Sequence, residues 1–218
     1  MTHKISVEHL SIERIGEIIE NNIKLELSDD ARNRIVRCRE YLDKKIETSD
    51  KPIYGVTTGF GSLCKISIDK QQLSDLQKNL MMSHACGVGD RVPNEIVKIM
   101  LLLKIQSLSY GFSACQLVTV ERLIDFFNND IYPVVYMQGS LGASGDLVPL
   151  AHLCLPLLGI GSVEMNGEVI SGEEMLKKIL DTEEFKSRLK LVDEREQILN
   201  KRENMLAERE AKVTSMYS

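Results

Sequence analysis

The sequence has no surplus of positive charge, no long apolar run and no paired cysteines, and each absence removes a class of protein. With 27 Lys and Arg against 32 Asp and Glu, the 218 residues carry a net charge of -5, which gives no electrostatic footprint for nucleic acid, a partner that needs a basic face. Nucleic acid is not an expected partner. The longest stretch free of Asp, Glu, Lys and Arg, Leu147 to Val163, is shorter than a membrane span and is broken by Pro149, Pro156, Gly159 and Gly161. The opening residues, "MTHKISVEHLSIERIGEI", carry charges throughout and hold no apolar core of signal-peptide length. These absences predict a soluble, cytoplasmic protein without a membrane partner. Cys38, Cys64, Cys86, Cys115 and Cys154 are odd in number, widely spread and never arranged as C-x-x-C, a pattern of reduced thiols rather than of a disulfide or zinc framework. No metal is expected.

What is present is mostly helical patterning. "SDDARNRIVRCREYLDKKI" opens with Ser28 as a cap and two acids in the first turn, then places Ile35, Cys38, Leu42 and Ile46 on one face. "DKQQLSDLQKNLMMSHACGVG" repeats the pattern with Leu73, Leu76 and Leu80, and its glycines are expected to stop the helix. Ser113 and Gln116 form a capping-box pattern ahead of Leu117, Val120, Ile124 and Phe127. Asn166 and Gly167 stand between short apolar and polar alternations, which predicts a tight hairpin, and Ser171 with Glu174 caps a helix after it.

Beyond about residue 181 the composition becomes charged and repetitive. "DEREQIL", "NKRENML" and "AEREAKV" are successive seven-residue units from Asp193. Their apolar residues fall in adjacent pairs, with Arg and Glu where a second seam position should be apolar. A long solvated helix with weak self-association is the expectation, with a dedicated coiled coil as its alternative.

The most unusual stretch is "MQGSLGASGDLVPLAH", in which Gly139 to Gly145 holds three glycines, two serines and one alanine. A phosphate cradle needs Gly-Lys-Ser/Thr, whereas Asp146 follows Gly145 and would repel phosphate. A nucleophile elbow needs G-x-S-x-G, and the fifth place counting from Gly142 is Asp146. Two readings stay open. One is a plain structural turn. In the other, the Gly145 nitrogen closes on the Ala143 carbonyl carbon with loss of water, and Ser144 loses its hydroxyl as a second water. That gives a five-membered ring bearing a methylidene, an electrophile that ordinary side chains do not provide.

Two further segments bear on the choice: "YGVTTGFG", residues 54 to 61, and "NLMMSHACGVG", residues 79 to 89. Together with "GSLGASGDLVPLAH", their order and spacing resemble the histidine ammonia-lyase family, whose members carry a methylidene-imidazolone made from Ala-Ser-Gly. The resemblance spans roughly residues 5 to 180. It implies that Ala143, Ser144 and Gly145 form the prosthetic ring autocatalytically, with no diffusible cofactor. Tyr54 matches an active-site tyrosine that handles a proton near the substrate amine. His84 matches a histidine that helps hold the substrate's imidazole, and the Ser83-His84 pair resembles the histidine-selective type. Thr57 stands where asparagine is more usual before "TGFG".

The implied reaction is elimination of ammonia from histidine to give urocanate, with a base taking the β-proton. A helix after Gly145 is expected to aim its amino-terminal dipole at the ring. The implied fold is mainly α: the amino-terminal portion of the ammonia-lyase fold with a small β-hairpin, followed by a long charged helix. The family's carboxyl-terminal half, with its central helices, second catalytic tyrosine and carboxylate-binding arginine, has no counterpart here. The chain is therefore expected to be a truncated lyase module, residues 1 to 180, joined to a tail, residues 181 to 218. An active site would need a homo-oligomer or a partner supplying the missing half, and Tyr54 need not meet the Ser144 loop within one chain. The alternatives are a catalytically silent fragment that binds or regulates a lyase, and a scaffold acting through its tail.

Overall fold

The computed structural model describes residues 1–49, 51–66, 68 and 72–180. The charged repeat from Asp193, expected as a long helix, lies outside the described residues. The chain divides into two compact units, Met1–Met175 and Leu176–Ser218.

The first unit opens with a parallel pair, β1 (Thr2–Ile5) and β2 (Lys24–Leu27), joined through α1 (Ile12–Glu20). Ser11 caps α1, its hydroxyl accepting from the Arg14 amide at 3.2 Å. Ser28 does the same for α2 (Asp29–Thr48), accepting from Ala31 at 3.2 Å, as its position before two acids predicts. The apolar face of α2 is buried at Ala31 and Ile35 and then becomes half-buried at Cys38, Leu42 and Ile46.

The core lies on α4 (Asn94–Ser109) and α5 (Leu117–Asn128), which follow α3 (Leu73–His84) and β3 (Val88–Arg91) in the chain. Leu101, Leu102 and Ile105 of α4 and Val120 and Phe126 of α5 are fully buried. Helix α5 departs from the sequence reading at its start. Gln116 is the capping residue and makes no side-chain cap bond. Ser113 does not cap it, because Ala114 turns the chain in the left-handed region at φ 50° and separates Ser113 from the helix.

One buried cation ties the core to its loops. The Lys98 ammonium donates to Asn22 Oδ1 at 2.8 Å and to Asp130 Oδ1 at 2.6 Å, and lies over the Phe127 ring at 5.2 Å. Asn22 and Asp130 both have positive φ, at 48° and 51°, so the lysine fastens two tight turns at once. Burial pushes the Asp130 carboxyl up, but bonds from Lys98 and Tyr132 outweigh it and hold its pKa below the ordinary carboxylate value.

The remaining strands are β4 (Tyr132–Pro133), β5 (Tyr136–Gln138), β6 (Ser162–Met165) and β7 (Glu168–Ser171). Strands β6 and β7 form the hairpin that Asn166-Gly167 predicts, with both residues at positive φ, 54° and 79°, as a primed turn requires. Strand β4 adds to its β6 edge. Strand β5 pairs antiparallel with β3, through Val88 with Gln138 and Arg91 with Tyr136. Helix α6 (Val148–Cys154) continues into a 3-10 turn, Leu155–Leu158, and α7 (Gly172–Leu180) begins at Ser171, whose hydroxyl accepts from Glu174 at 3.1 Å.

Candidate active site

The three glycine-rich segments are each held by local bonds and tied in series, the first to the second and the second to the third. In the first, Thr57 Oγ1 accepts from the Ile53 amide at 2.8 Å, and the Ile68 amide donates to the Thr57 carbonyl at 2.8 Å. The threonine that replaces the more usual asparagine therefore has a complete set of local bonds. Gly55 has φ 70°, and a Cβ there would come within 2.6 Å of the Phe60 ring, so the loop closes on Phe60 only because position 55 is bare.

That closure builds a row of rings. Tyr54 meets Phe60 edge-on with centroids 5.4 Å apart, and Phe60 meets His84 edge-on at 6.1 Å. The Gly61 amide donates to the Tyr54 hydroxyl at 3.4 Å. Gln77 of α3 donates to the Gly55 carbonyl at 3.2 Å, fixing the loop on the helix. The structure thus brings Tyr54 and His84 into one cluster, with Phe60 between them.

Helix α3 ends at His84, three residues before the glycine expected to stop it. His84 Nδ1 lies 2.7 Å from the Leu80 carbonyl and 3.2 Å from Ser83 Oγ. A carbonyl only accepts, so Nδ1 carries a proton, and in the neutral ring this leaves Nε2 as the acceptor. Ser83 also donates to the Leu80 carbonyl at 2.9 Å.

The third segment forms a turn. The Gly145 amide donates to the Gly142 carbonyl at 3.1 Å, and Gly145 has φ 81°. Ala143 and Ser144 at its tip are exposed, and no heavy atom beyond the chain neighbours comes within 4 Å of where a Cβ would stand at Gly142 or Gly145. Asp146 closes the base of the loop: its Oδ1 accepts from the Ser140 amide at 3.2 Å and from Val148 at 3.1 Å. A Cβ at Gly139 would collide with both oxygens of that carboxylate. Helix α6 starts only at Val148, and Asp146 meets its first amide. The expected field of a helix amino terminus on Gly145 is corrected by this geometry: the helix is short, starts later, and its positive end faces a carboxylate.

Among the described residues, no hydrogen bond or ring contact joins Tyr54 or His84 to residues 143 to 145. The link runs through Gly87, whose amide donates to His152 Nε2 at 2.9 Å. Strand pairing of Val88 with Gln138 makes a second link beside it. The sequence reading missed Phe60, Asp146 and His152 as site residues, although all three lie inside or beside the quoted segments. A cavity of about 260 Å³ around Arg91, Asn94, Tyr132 and Glu164 contains none of the three segments.

The site is open. Tyr54 is 61% exposed, Leu63 51%, Ile66 53% and Leu141 88%. No helix of the described residues is long and apolar enough to cross a membrane, and all five cysteines are free.

A family model described as "Aromatic amino acid lyase" matches residues 10–186. The chain belongs to the aromatic amino acid lyase family. It is 46% identical over 170 residues to a histidine ammonia-lyase of Deinococcus radiodurans, covering 78% of this chain and 32% of that protein. The crystal structure of histidine ammonia-lyase from Trypanosoma cruzi superposes with a TM-score of 0.72 at 31% identity, over 82% of this chain and 34% of that one. Ergothionase from Treponema denticola superposes with a TM-score of 0.77 at 29% identity, over 82% of this chain and 35% of its own. The chain therefore spans about a third of the length of these relatives, and its fold is the amino-terminal part of theirs.

Proposed function

We propose that residues 1 to 180 form the ring-forming and imidazole-binding part of a histidine ammonia-lyase, which eliminates ammonia from L-histidine to give urocanate. The observation that carries this reading is the series of links among the three segments, Phe60 to His84 and then Gly87 to His152 on the helix that follows the Gly142–Gly145 turn. The turn suits cyclisation of Ala143, Ser144 and Gly145: its closing bond is formed, position 145 is at positive φ, and the Ser144 hydroxyl faces solvent and can leave as water. The methylidene-imidazolone so formed supplies the electrophile that the substrate's departing amine needs. His84 offers its bare Nε2 as acceptor to an imidazole N–H, which favours histidine among aromatic amino acids. Tyr54, whose oxygen already accepts from Gly61, keeps its own proton to exchange near the amine.

The base for the β-proton and the clamp for the substrate carboxylate belong to the carboxyl-terminal part of the relatives. Whatever supplies them, a further segment or a partner polypeptide, also covers Tyr54, Leu63, Ile66 and Leu141, which stand exposed. Free cysteines and an acidic surface fit a cytoplasmic setting. A second reading, a catalytically silent module that binds a lyase through the same open face, rests on the 61% exposure of Tyr54, because a proton-handling hydroxyl in bulk water has little leverage. Urocanate absorbance in the near ultraviolet tests both. The chain by itself releases little or none from histidine, since positioning and general-base effects are each worth several powers of ten. Robust release by the wild type that vanishes in Ser144→Ala removes the need for a partner.

A further inference from the structure

We infer that His152 is a positioning residue: by accepting the Gly87 amide, it sets the separation between the His84 side of the site and the Gly142–Gly145 turn. The inference rests on the proposed lyase reading for its purpose, but not for its geometry.

His152 is 8% exposed and stands on α6, eight residues beyond Ser144 in the chain. Its Nε2 accepts from the Gly87 amide at 2.9 Å, across 65 residues of sequence. Gly87 stands three residues beyond His84, and the Cys86 amide donates back to the His84 carbonyl at 3.0 Å, so the link from His84 to Gly87 is a tight turn with little slack. The glycine is bare for a reason on the same surface: a Cβ would approach both His152 Nε2 and Val148 Cγ1 to 3.0 Å. Tyr136 of β5 meets the imidazole edge-on at 5.2 Å and 76°, which fixes the ring plane. A core histidine that only fills space would satisfy its nitrogen on its own helix. This one gives its acceptor to the backbone of the segment that carries His84.

The bond depends on a neutral ring. Nε2 accepts only while unprotonated, which assigns the proton to Nδ1. Burial holds the His152 pKa below the ordinary histidine value. The titratable groups on the segments that meet α6 are Asp75, Lys78 and His84 on α3 with Cys86 just beyond it, Tyr132 on β4, Tyr136 on β5, and Asp146 and Cys154 on its own segment, and none of them is hydrogen-bonded to the imidazole. For a histidine whose folded pKa is lowered, the stabilising contribution is complete above the unfolded value of 6.5 and declines as pH falls below it towards the folded value. Below the folded value Nε2 becomes a donor facing a donor, and the link opens.

Nitrogen-15 NMR of the whole chain tests this with two variants. His152→Gln keeps an acceptor near the Nε2 position, and His152→Phe keeps ring volume without one. In the wild type, the amides of residues 84 to 88 and of 140 to 146 shift together with the His152 titration, while those of Leu101 and Phe126 stay in place. In His152→Gln both segments keep their neutral-pH positions and neither follows the titration. In His152→Phe both are displaced at every pH, and Gly87 amide exchange is about tenfold faster. The inference is overturned if the 140 to 146 amides ignore both the titration and the Phe variant, or if Gln behaves like Phe. Intact mass on the same samples reports ring formation separately, so a failure of the lyase reading is distinguishable from a failure of the His152 link.

Discussion

Helices α3 and α4 are neighbours in the chain and both carry apolar residues along their length, yet they end in opposite environments. Val97, Leu101, Leu102 and Ile105 of α4 are at most 1% exposed, whereas α3 has no buried residue at all. The first motif meets α3 through Phe60 with His84 and Gly55 with Gln77, and Tyr54 and Phe60 within it and Leu63 and Ile66 just after it are all exposed. An open apolar face of this kind is the surface the proposed reading assigns to a covering element. The fold and the proposed site therefore rest on different parts of this unit: α4, α5 and the Lys98 cluster hold the core, and the loops beside α3 and α6 hold the candidate site residues.

Substitutions in the two regions should separate along that line. The largest loss of stability is expected from Phe126→Ala, where a fully buried aromatic leaves a cavity; urea denaturation should show about 3–5 kcal/mol. Lys98→Ala comes next, at about 2–3 kcal/mol, because it leaves Asn22 and Asp130 without their shared donor, with Asp130 half-exposed so that water offsets part of the cost. That variant also changes the acid limb. Asp130 contributes stability above its unfolded value, and the contribution is lost as pH falls through the lower folded value; without Lys98, the limb should begin at higher pH. The smallest effect belongs to Tyr54→Phe, within about 0.5 kcal/mol of wild type, since the hydroxyl is exposed and accepts a single long bond from Gly61. A Tyr54→Phe cost comparable to that of Phe126→Ala would break the division between the two regions.

Legibility in the sequence follows the range of the signal. The Ser28 and Ser171 caps and the Asn166-Gly167 hairpin are local, each a few residues long, and all three stand where the pattern puts them. Helix α4 has no comparable pattern: it opens on Pro93 without a side-chain cap and is buried on several sides, so no polar face marks its period. The parallel pairing of β1 with β2 and the β3 and β5 ladder join strands across intervening helices, which four-residue strands do not announce. The Ser113 pattern misleads because Ala114 takes a left-handed turn between the serine and the helix. Within the site, Tyr54, His84 and residues 143 to 145 are readable as motif positions. Asp146 and His152 are not, because each acts on backbone amides, and an amide donor leaves no mark on residue type.

The central claim is that the Ala143-Ser144-Gly145 turn is built to cyclise within this chain, whatever then covers the open face. Intact-mass spectrometry of the purified protein tests it most directly. The wild type should weigh less than its sequence by two waters, and Ser144→Ala, which has no hydroxyl to lose, should not show that two-water deficit. A wild-type chain at its full sequence mass would contradict the claim and leave Gly142 to Gly145 as an ordinary turn.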